Sequence, residues 1–110
     1  MAHDEDLAEQ IRGLVDGERG LTEKKMFGGV AFLIGGNMAI SASGQGGLLV
    51  RVDPAESAAL VANTDAYVAV MRGRPMPGWL RVGGEHLGRA GELAAWVERG
   101  VSYARSLPVK

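Results

Sequence analysis

Three arginines and a tryptophan are concentrated in one segment of the chain, and they are the residues best suited to binding chemistry. Arg72, Arg74 and Arg81 lie within residues 66–84, a stretch without an acidic residue, and Trp79 lies among them. Guanidinium groups bind carboxylates and phosphates, and an indole ring stacks on bases or cations. The same residues also suit a structural role, with Trp79 in the core and Arg74 fixing its segment to a neighbouring carbonyl or acid. Both interpretations stay open at this point.

Other residues would extend this basic patch if the strands that carry them share a face. Lys24, Lys25 and Arg51 are the basic candidates. A second possible location is a small-ligand pocket beside Gly28 and Gly29, which would need converging polar groups. The complete set of candidate binding residues is Lys25, Phe27, Gly28, Gly29, Arg51, Arg72, Arg74, Met76, Trp79 and Arg81.

Two glycine pairs, Gly28–Gly29 and Gly35–Gly36, interrupt a run that otherwise has the composition of a strand. A phosphate-binding loop places its glycines between a strand and a helix, whereas strand-like sequence follows both pairs here. The Gly-Lys-Ser/Thr ending of such loops is also missing. The second pair therefore predicts a hairpin turn, and the first predicts a bulge or a position where another backbone or bulky group packs closely.

No residue set predicts a catalytic centre. Asp53 and Glu56 have the spacing of a helix capping box, and neither Ser41 nor Ser43 lies in a Gly-x-Ser-x-Gly elbow. The chain has no cysteine and only two histidines, too few for a metal cage. We therefore expect a protein that is not an enzyme and that uses no metal ion or cofactor.

Composition places the chain among ordinary globular proteins. It has 110 residues, of which 46% are hydrophobic and 23% charged, and a formal net charge of -1. No apolar run approaches the roughly 20 residues of a membrane span, and the acidic amino terminus lacks the apolar core of a signal peptide. We expect one domain, residues 1–110, in the cytoplasm and without a membrane partner. The total charge does not favour a nucleic-acid role.

The periodicity of apolar residues predicts an α+β fold with the order α-βββ-α-ββ-α, in which helices pack on an antiparallel sheet of about five strands. Two prolines between Arg72 and Gly78 lack N–H donors, so that segment is predicted to be a stiff loop. Gly100, on or beside the apolar stripe of the last helix, predicts a close neighbour. The methionines Met26, Met38, Met71 and Met76 are predicted to fill gaps in the core. Helices are predicted at 4–17, 54–62 and 90–107, and strands at 26–34, 38–43, 48–52, 66–71 and 79–82.

Four sequence blocks together resemble the amino-terminal domain of the TfoX/Sxy family. They are KKMFGG at 24–29, LLVRVDP at 48–54, GRPMPGWLRV at 73–82 and LAAWVERGVSYARSLP at 93–108. The resemblance implies an α+β fold similar to the secretion-chaperone-like group, whose members often form homodimers. The family is named for regulators of natural competence that work beside the cyclic-AMP receptor protein at promoters, and it transfers no catalytic residues. Those regulators usually carry a second, helical domain, for which this sequence has no counterpart.

The sequence therefore supports three hypotheses. The first is a cytoplasmic regulatory or protein-interaction domain without catalytic activity, homodimeric, which contacts a protein partner in transcription regulation through the basic sheet and residues 72–81. The second is a regulator that binds nucleic acid directly through Arg72, Arg74 and Arg81. The third is a small-ligand-binding domain or enzyme with a pocket beside Gly28 and Gly29.

Overall fold

The computed structural model describes residues 5–26, 28–44, 46–88 and 91–110 of the chain. In chain order, its elements are α1 (Glu5–Val15), β1 (Leu21–Met26), β2 (Gly29–Ile34), β3 (Asn37–Ala42), β4 (Leu48–Arg51), α2 (Pro54–Asn63), β5 (Tyr67–Met71), β6 (Arg74–Val82), a short 3₁₀ helix (Gly84–His86) and α3 (Glu92–Ser106).

The six strands form one antiparallel sheet with the order β1-β2-β3-β4-β6-β5. The predicted α+β class and the arrangement of helices on an antiparallel sheet are confirmed. The sheet has one strand more than the approximate five, because β1 precedes the predicted first strand. In the sequence LTEKKM of β1, all residues after Leu21 are exposed, so this edge strand lacks the apolar alternation that marks the others.

One face of the sheet packs against the helices and forms the core. Opposed residues of neighbouring strands, such as Phe32 and Ile40 or Val50 and Leu80, share this face and are almost completely buried. Trp96 of α3 packs in the same cluster with 2% of its surface exposed. Since side chains alternate along a strand, the intervening residues project from the opposite face.

Local sequence signals explain where several elements begin and end. Asp53 caps α2 by accepting a hydrogen bond of 2.9 Å from the amide of Ala55, which confirms the predicted N-cap residue. Gly35 and Gly36 have φ angles of 59° and 85° between the paired residues Ile34 and Asn37, so the predicted hairpin turn is confirmed and has two residues.

The prediction that residues 72–78 form a loop is wrong, because β6 begins at Arg74. The prolines are accommodated by a large bulge instead. Val68 pairs with Leu80 and Val70 with Pro75, so four residues of β6 stand opposite the single β5 residue Ala69. Pro77 lies within the bulge, where the regular ladder is interrupted, and β4 ends at the residue opposite Trp79. A proline here costs few ladder hydrogen bonds.

Candidate functional site

The sheet face opposite the three helices contains a groove of about 540 Å³. Its lining takes residues from all six strands. The lining residues are Met26, Ala31, Met38, Ser41, Ser43, Gly44, Leu49, Val70, Met71, Arg72, Met76, Trp79 and Arg81. We call this feature the open-face groove.

The bulge in β6 positions one wall of the open-face groove. Beyond it, the tip of the β5–β6 hairpin turns back over the sheet, since Val70, Met71 and Arg72 line the same groove as Ala31 of β2 and Ser41 of β3. Bulges bend a strand and increase its twist, which redirects the side chains that follow. The bulge therefore brings the tip of the β5–β6 hairpin to the same groove as residues of β2 and β3.

Methionines supply much of the apolar surface of the groove. Met26 and Met71 are 37% and 38% exposed, and Met38 and Met76 are half-buried. The prediction that these four residues fill gaps in the core is wrong, because all four line the open-face groove and none belongs to the core cluster. Unbranched thioether side chains adapt to irregular partners, so this wall can adjust to what it contacts.

Two guanidinium groups contribute the charge of the open-face groove. Arg81 donates a hydrogen bond of 3.2 Å from one terminal nitrogen to the hydroxyl oxygen of Ser43. Arg72 lies in the β5–β6 turn with a φ of 53°, the only positive φ at a non-glycine residue in the described ranges. The described lining includes no aspartate or glutamate. The groove is thus apolar with a positive charge.

Trp79 is held in position by a cation stacked on its ring. The guanidinium carbon of Arg51, directly opposite Trp79 in the β4–β6 ladder, lies 5.1 Å from the centroid of the indole ring and 5.6 Å from that of Tyr103. Such contacts contribute about 0.5–1 kcal/mol at partly exposed sites. Trp79 is half-buried and lines the groove, so it is not a core residue. Arg51 supports it without lining the groove itself.

The structure brings together four of the predicted binding residues, Arg72, Met76, Trp79 and Arg81, in one groove. Two others are placed elsewhere. Lys25 is opposite Val30, whose side chain belongs to the core, so it lies on the helix-bearing face at the exposed edge. Arg74 is exposed in the hairpin and does not line the groove.

Gly29 has a packing role, as one of the two predicted alternatives requires, whereas Gly28 lies in the turn between β1 and β2, which the sequence did not predict. A Cβ atom on Gly29 would lie 2.2 Å from the carbonyl oxygen of Ala42, so the backbones approach too closely for a side chain. Gly28 has a φ of 79° between the paired residues Met26 and Gly29. Phe27, the remaining candidate, lies outside the described residues.

Sequence reasoning missed most of the apolar lining, although one signal pointed to it. Residues on both parities of β2 are apolar, and Ala31 and Leu33 are 1% and 9% exposed even though the helices pack on the other face. A strand that is apolar on both sides requires cover on both sides. The hairpin provides part of that cover. The missed lining residues are Met26, Ala31, Met38, Ser41, Ser43, Gly44, Leu49, Val70 and Met71.

Two further clefts lie outside the open face, and both are acidic. A cleft of about 530 Å³ between α2 and α3 is lined by Asp53, Glu56 and Glu98, among others. A cleft of about 300 Å³ contains His86, whose Nδ1 lies 3.4 Å from a carboxylate oxygen of Asp65. Within the described ranges, no three His, Cys, Asp or Glu side chains are grouped so that they could hold a metal ion.

Of the helices in the described part of the chain, none combines the length and apolar character needed to cross a bilayer.

No curated protein and no solved structure gives a significant match. A family model, the TfoX N-terminal domain, matches residues 14–104, which include every residue that lines the open-face groove. The chain therefore belongs to the TfoX N-terminal domain family.

Proposed function

We propose that this protein is a regulatory interaction domain that acts without catalysis and binds a segment of a partner protein in the open-face groove. The observation that carries the proposal is the groove itself: an apolar, methionine-rich depression on the sheet face opposite the helices, with two arginines in its lining. Contiguous apolar surface outside the core commonly marks a site where another molecule docks. Membership of the TfoX N-terminal domain family supports a regulatory or interaction role in general.

The shape of the groove suits a chain segment better than a compact ligand. Its lining crosses consecutive strands from Met26 of β1 to Trp79 of β6. Four strand spacings of about 4.8 Å correspond to roughly 20 Å, the length of about six extended residues. The third hypothesis places a pocket beside Gly28 and Gly29. Gly29 packs against the backbone of Ser43 and Gly44 at one end of the groove, but neither glycine of the pair lines it.

Capture of partners from the native cell, with a matched pair of variants, tests the proposal. Met71→Asp places a carboxylate on the exposed wall of the groove, whereas Leu14→Asp changes a similarly exposed apolar residue on α1. We expect at least one protein to be captured by the wild type and by Leu14→Asp and to be lost with Met71→Asp. If every captured protein is retained by Met71→Asp, the groove is not the interaction site.

The homodimer implied by the family resemblance is proposed to form along the free edge of β5. Tyr67 and Val70 on this edge are 54% and 59% exposed, and the strand YVAVM carries no charge. The other free edge, β1, carries Glu23, Lys24 and Lys25. Charges on an edge strand oppose pairing with another chain, and an uncharged apolar edge favours it.

Introducing lysine at each edge tests the dimer. We expect the wild type to have twice the monomer mass by light scattering, and we expect Tyr67→Lys with Val70→Lys to shift it towards the monomer. Thr22→Lys on β1 is the control and should leave the mass unchanged. A wild type that stays monomeric at high concentration would contradict the dimer, without affecting the groove proposal.

Direct binding of duplex DNA is the competing function. It predicts an affinity that falls steeply with salt and is lost when Arg72, Arg74 and Arg81 are changed to alanine. Two features weigh against it: the chain has a formal net charge of -1, and Arg74 does not share the groove that Arg72 and Arg81 line. Fluorescence anisotropy with a labelled duplex at two salt concentrations separates this function from protein binding.

A further inference from the structure

We propose that the open-face groove recognises an acidic apolar segment: an extended stretch of about five residues, apolar in its middle and with a carboxylate at each end. This inference rests on the proposed function and adds the chemistry of the partner. The inference follows from three features of the groove: its charge, the backbone strain at Arg72, and the positions of the two arginines that line it.

Charge is divided between the two sides of the molecule. The lining of the open-face groove includes Arg72 and Arg81 and, within the described residues, no carboxylate. In both other clefts the acids outnumber the basic residues: one holds Asp53, Glu56 and Glu98 with Arg99, and the other holds Asp65, Glu85 and Glu92 with His86. A ligand with carboxylates is therefore attracted to the groove and repelled by the other clefts.

Arg72 occupies a backbone conformation that glycine or asparagine would adopt more easily. Its φ of 53° and the φ of 76° at Gly73 are those of a two-residue hairpin turn with both central residues left-handed. This conformation is strained for a residue with a Cβ atom, because the Cβ comes too close to the following carbonyl oxygen. Arg72 makes no ion pair with any described residue. The strained turn therefore places the Arg72 guanidinium in the groove, and no ion pair within the described residues explains why an arginine occupies this position.

The two arginines lie at opposite ends of the β5–β6 hairpin. Arg81 is opposite Tyr67 at the base, and Arg72 follows Tyr67 by five residues, in the turn. Five residues of strand span about 16 Å. Between them lie the apolar residues Val70, Met71, Met76 and Trp79. A bound segment that satisfies both guanidinium groups needs acids about five residues apart and apolar side chains between them.

Selection from a displayed library of random twelve-residue peptides tests this inference on the intact protein. Recovered peptides are synthesised, and binding is followed by the fluorescence of Trp79, which lines the groove, with the Trp79→Phe variant identifying its share of the signal. We expect enrichment of sequences with two acids four to six residues apart around apolar residues. Replacing both acids with their amides should weaken binding about tenfold or more.

Matched variants assign the effect to the groove. Arg72→Gln and Arg81→Gln should each weaken binding of the acidic peptides, whereas Arg74→Gln, on the same hairpin but outside the lining, should leave it nearly unchanged. Met71→Asp should abolish binding. A labelled DNA duplex should not displace the peptides.

Three results would overturn the inference. The first is enrichment of apolar peptides without acids, whose binding depends on Met71 but not on the arginines; the proposed interaction function would then stand and only its chemistry would fail. The second is the absence of any peptide whose binding depends on the groove. The third is displacement by duplex DNA, which would assign the arginines to phosphate groups. Failure of the proposed function is a separate result, seen when Met71→Asp loses none of the captured cellular proteins.

Discussion

Gly100 of α3 lies directly against Ala39 of β3: a Cβ atom on the glycine would be 2.4 Å from the Ala39 carbonyl oxygen. The close neighbour that the sequence predicts at this glycine is therefore the backbone of the sheet. Gly100→Ala should lower the free energy of unfolding by roughly 1–3 kcal/mol, because the helix must move away from the sheet and loosen its packing. Urea denaturation measures the change.

Gly13→Ala in α1 is the matched control for that substitution. Gly13 is an exposed helical glycine whose added Cβ would meet nothing within 4 Å. Here the helix propensity of alanine acts alone, and the free energy of unfolding should rise by roughly 0.5–1 kcal/mol. A similar gain in Gly100→Ala would contradict the close approach of α3 to β3.

Ser57 of α2 is 4% exposed, and its hydroxyl oxygen has no hydrogen-bond partner among the described residues. A buried hydroxyl without a partner is destabilising, and alanine is also the better helix former. Ser57→Ala should therefore raise the free energy of unfolding by about 1 kcal/mol. The exposed helical serine Ser102 provides the control, since Ser102→Ala changes helix propensity without a buried hydroxyl. Equal effects of the two substitutions would show that Ser57 is satisfied in solution.

The features that the sequence predicted correctly depend on local chemistry. Asp53 caps α2 because its side chain reaches an amide two residues away. Gly35 and Gly36 form the β2–β3 turn because glycine readily adopts the positive φ that both turn positions require. Gly100 could be identified because a glycine on the apolar stripe of a helix marks a close contact. Each signal is contained within a few residues of the chain.

The features that the sequence did not predict depend on distant partners. β1 is a strand because it pairs with the edge of β2, although its own residues are mostly exposed and polar. The open-face groove depends on the shift in strand pairing within the β5–β6 hairpin, where Val68 pairs with Leu80 but Val70 pairs with Pro75. This shift turns the hairpin over the sheet. The prolines indicated an irregularity at residues 72–78, but neither its size nor its direction can be derived from periodicity.

Arg12 of α1 and Glu23 of β1 form a bidentate ion pair, with Nε–Oε1 and terminal nitrogen–Oε2 distances of 2.7 and 3.1 Å. The hydrogen bonds from Arg12 hold the pKa of Glu23 below its ordinary value, against a smaller opposing effect of burial. Because the folded-state pKa is the lower one, the pair stabilises the fold at neutral pH. That contribution is lost as the pH falls through the folded-state pKa of Glu23. It is small, since the two side chains are 40% and 41% exposed.

Arg12→Ala should raise the pKa of Glu23, measured by an NMR titration of its side-chain carboxyl. The difference in the free energy of unfolding between wild type and variant should shrink as the pH falls through the folded-state pKa of Glu23, because the carboxyl is protonated in both states at still lower pH. Arg19→Ala, which removes an exposed arginine that is not a cause of the Glu23 shift, should leave the pKa of Glu23 unchanged. An unchanged pKa in Arg12→Ala would show that the pair does not persist in solution.

Arg72→Asn should separate the stability of the hairpin from its ability to bind. Asparagine tolerates the left-handed conformation and suits the first position of a turn whose second residue is Gly73, so the strain at the φ of 53° is relieved. The free energy of unfolding should rise by about 1 kcal/mol. Binding of acidic peptides should weaken about tenfold, because a guanidinium of the groove is lost.

Arg74→Asn is the matched control, because it removes a charge from the same hairpin at a position where the backbone is unstrained and the side chain lies outside the groove. It should neither raise the free energy of unfolding nor weaken peptide binding. A more stable Arg72→Asn protein with undiminished peptide binding would leave the strain at Arg72 without a functional explanation.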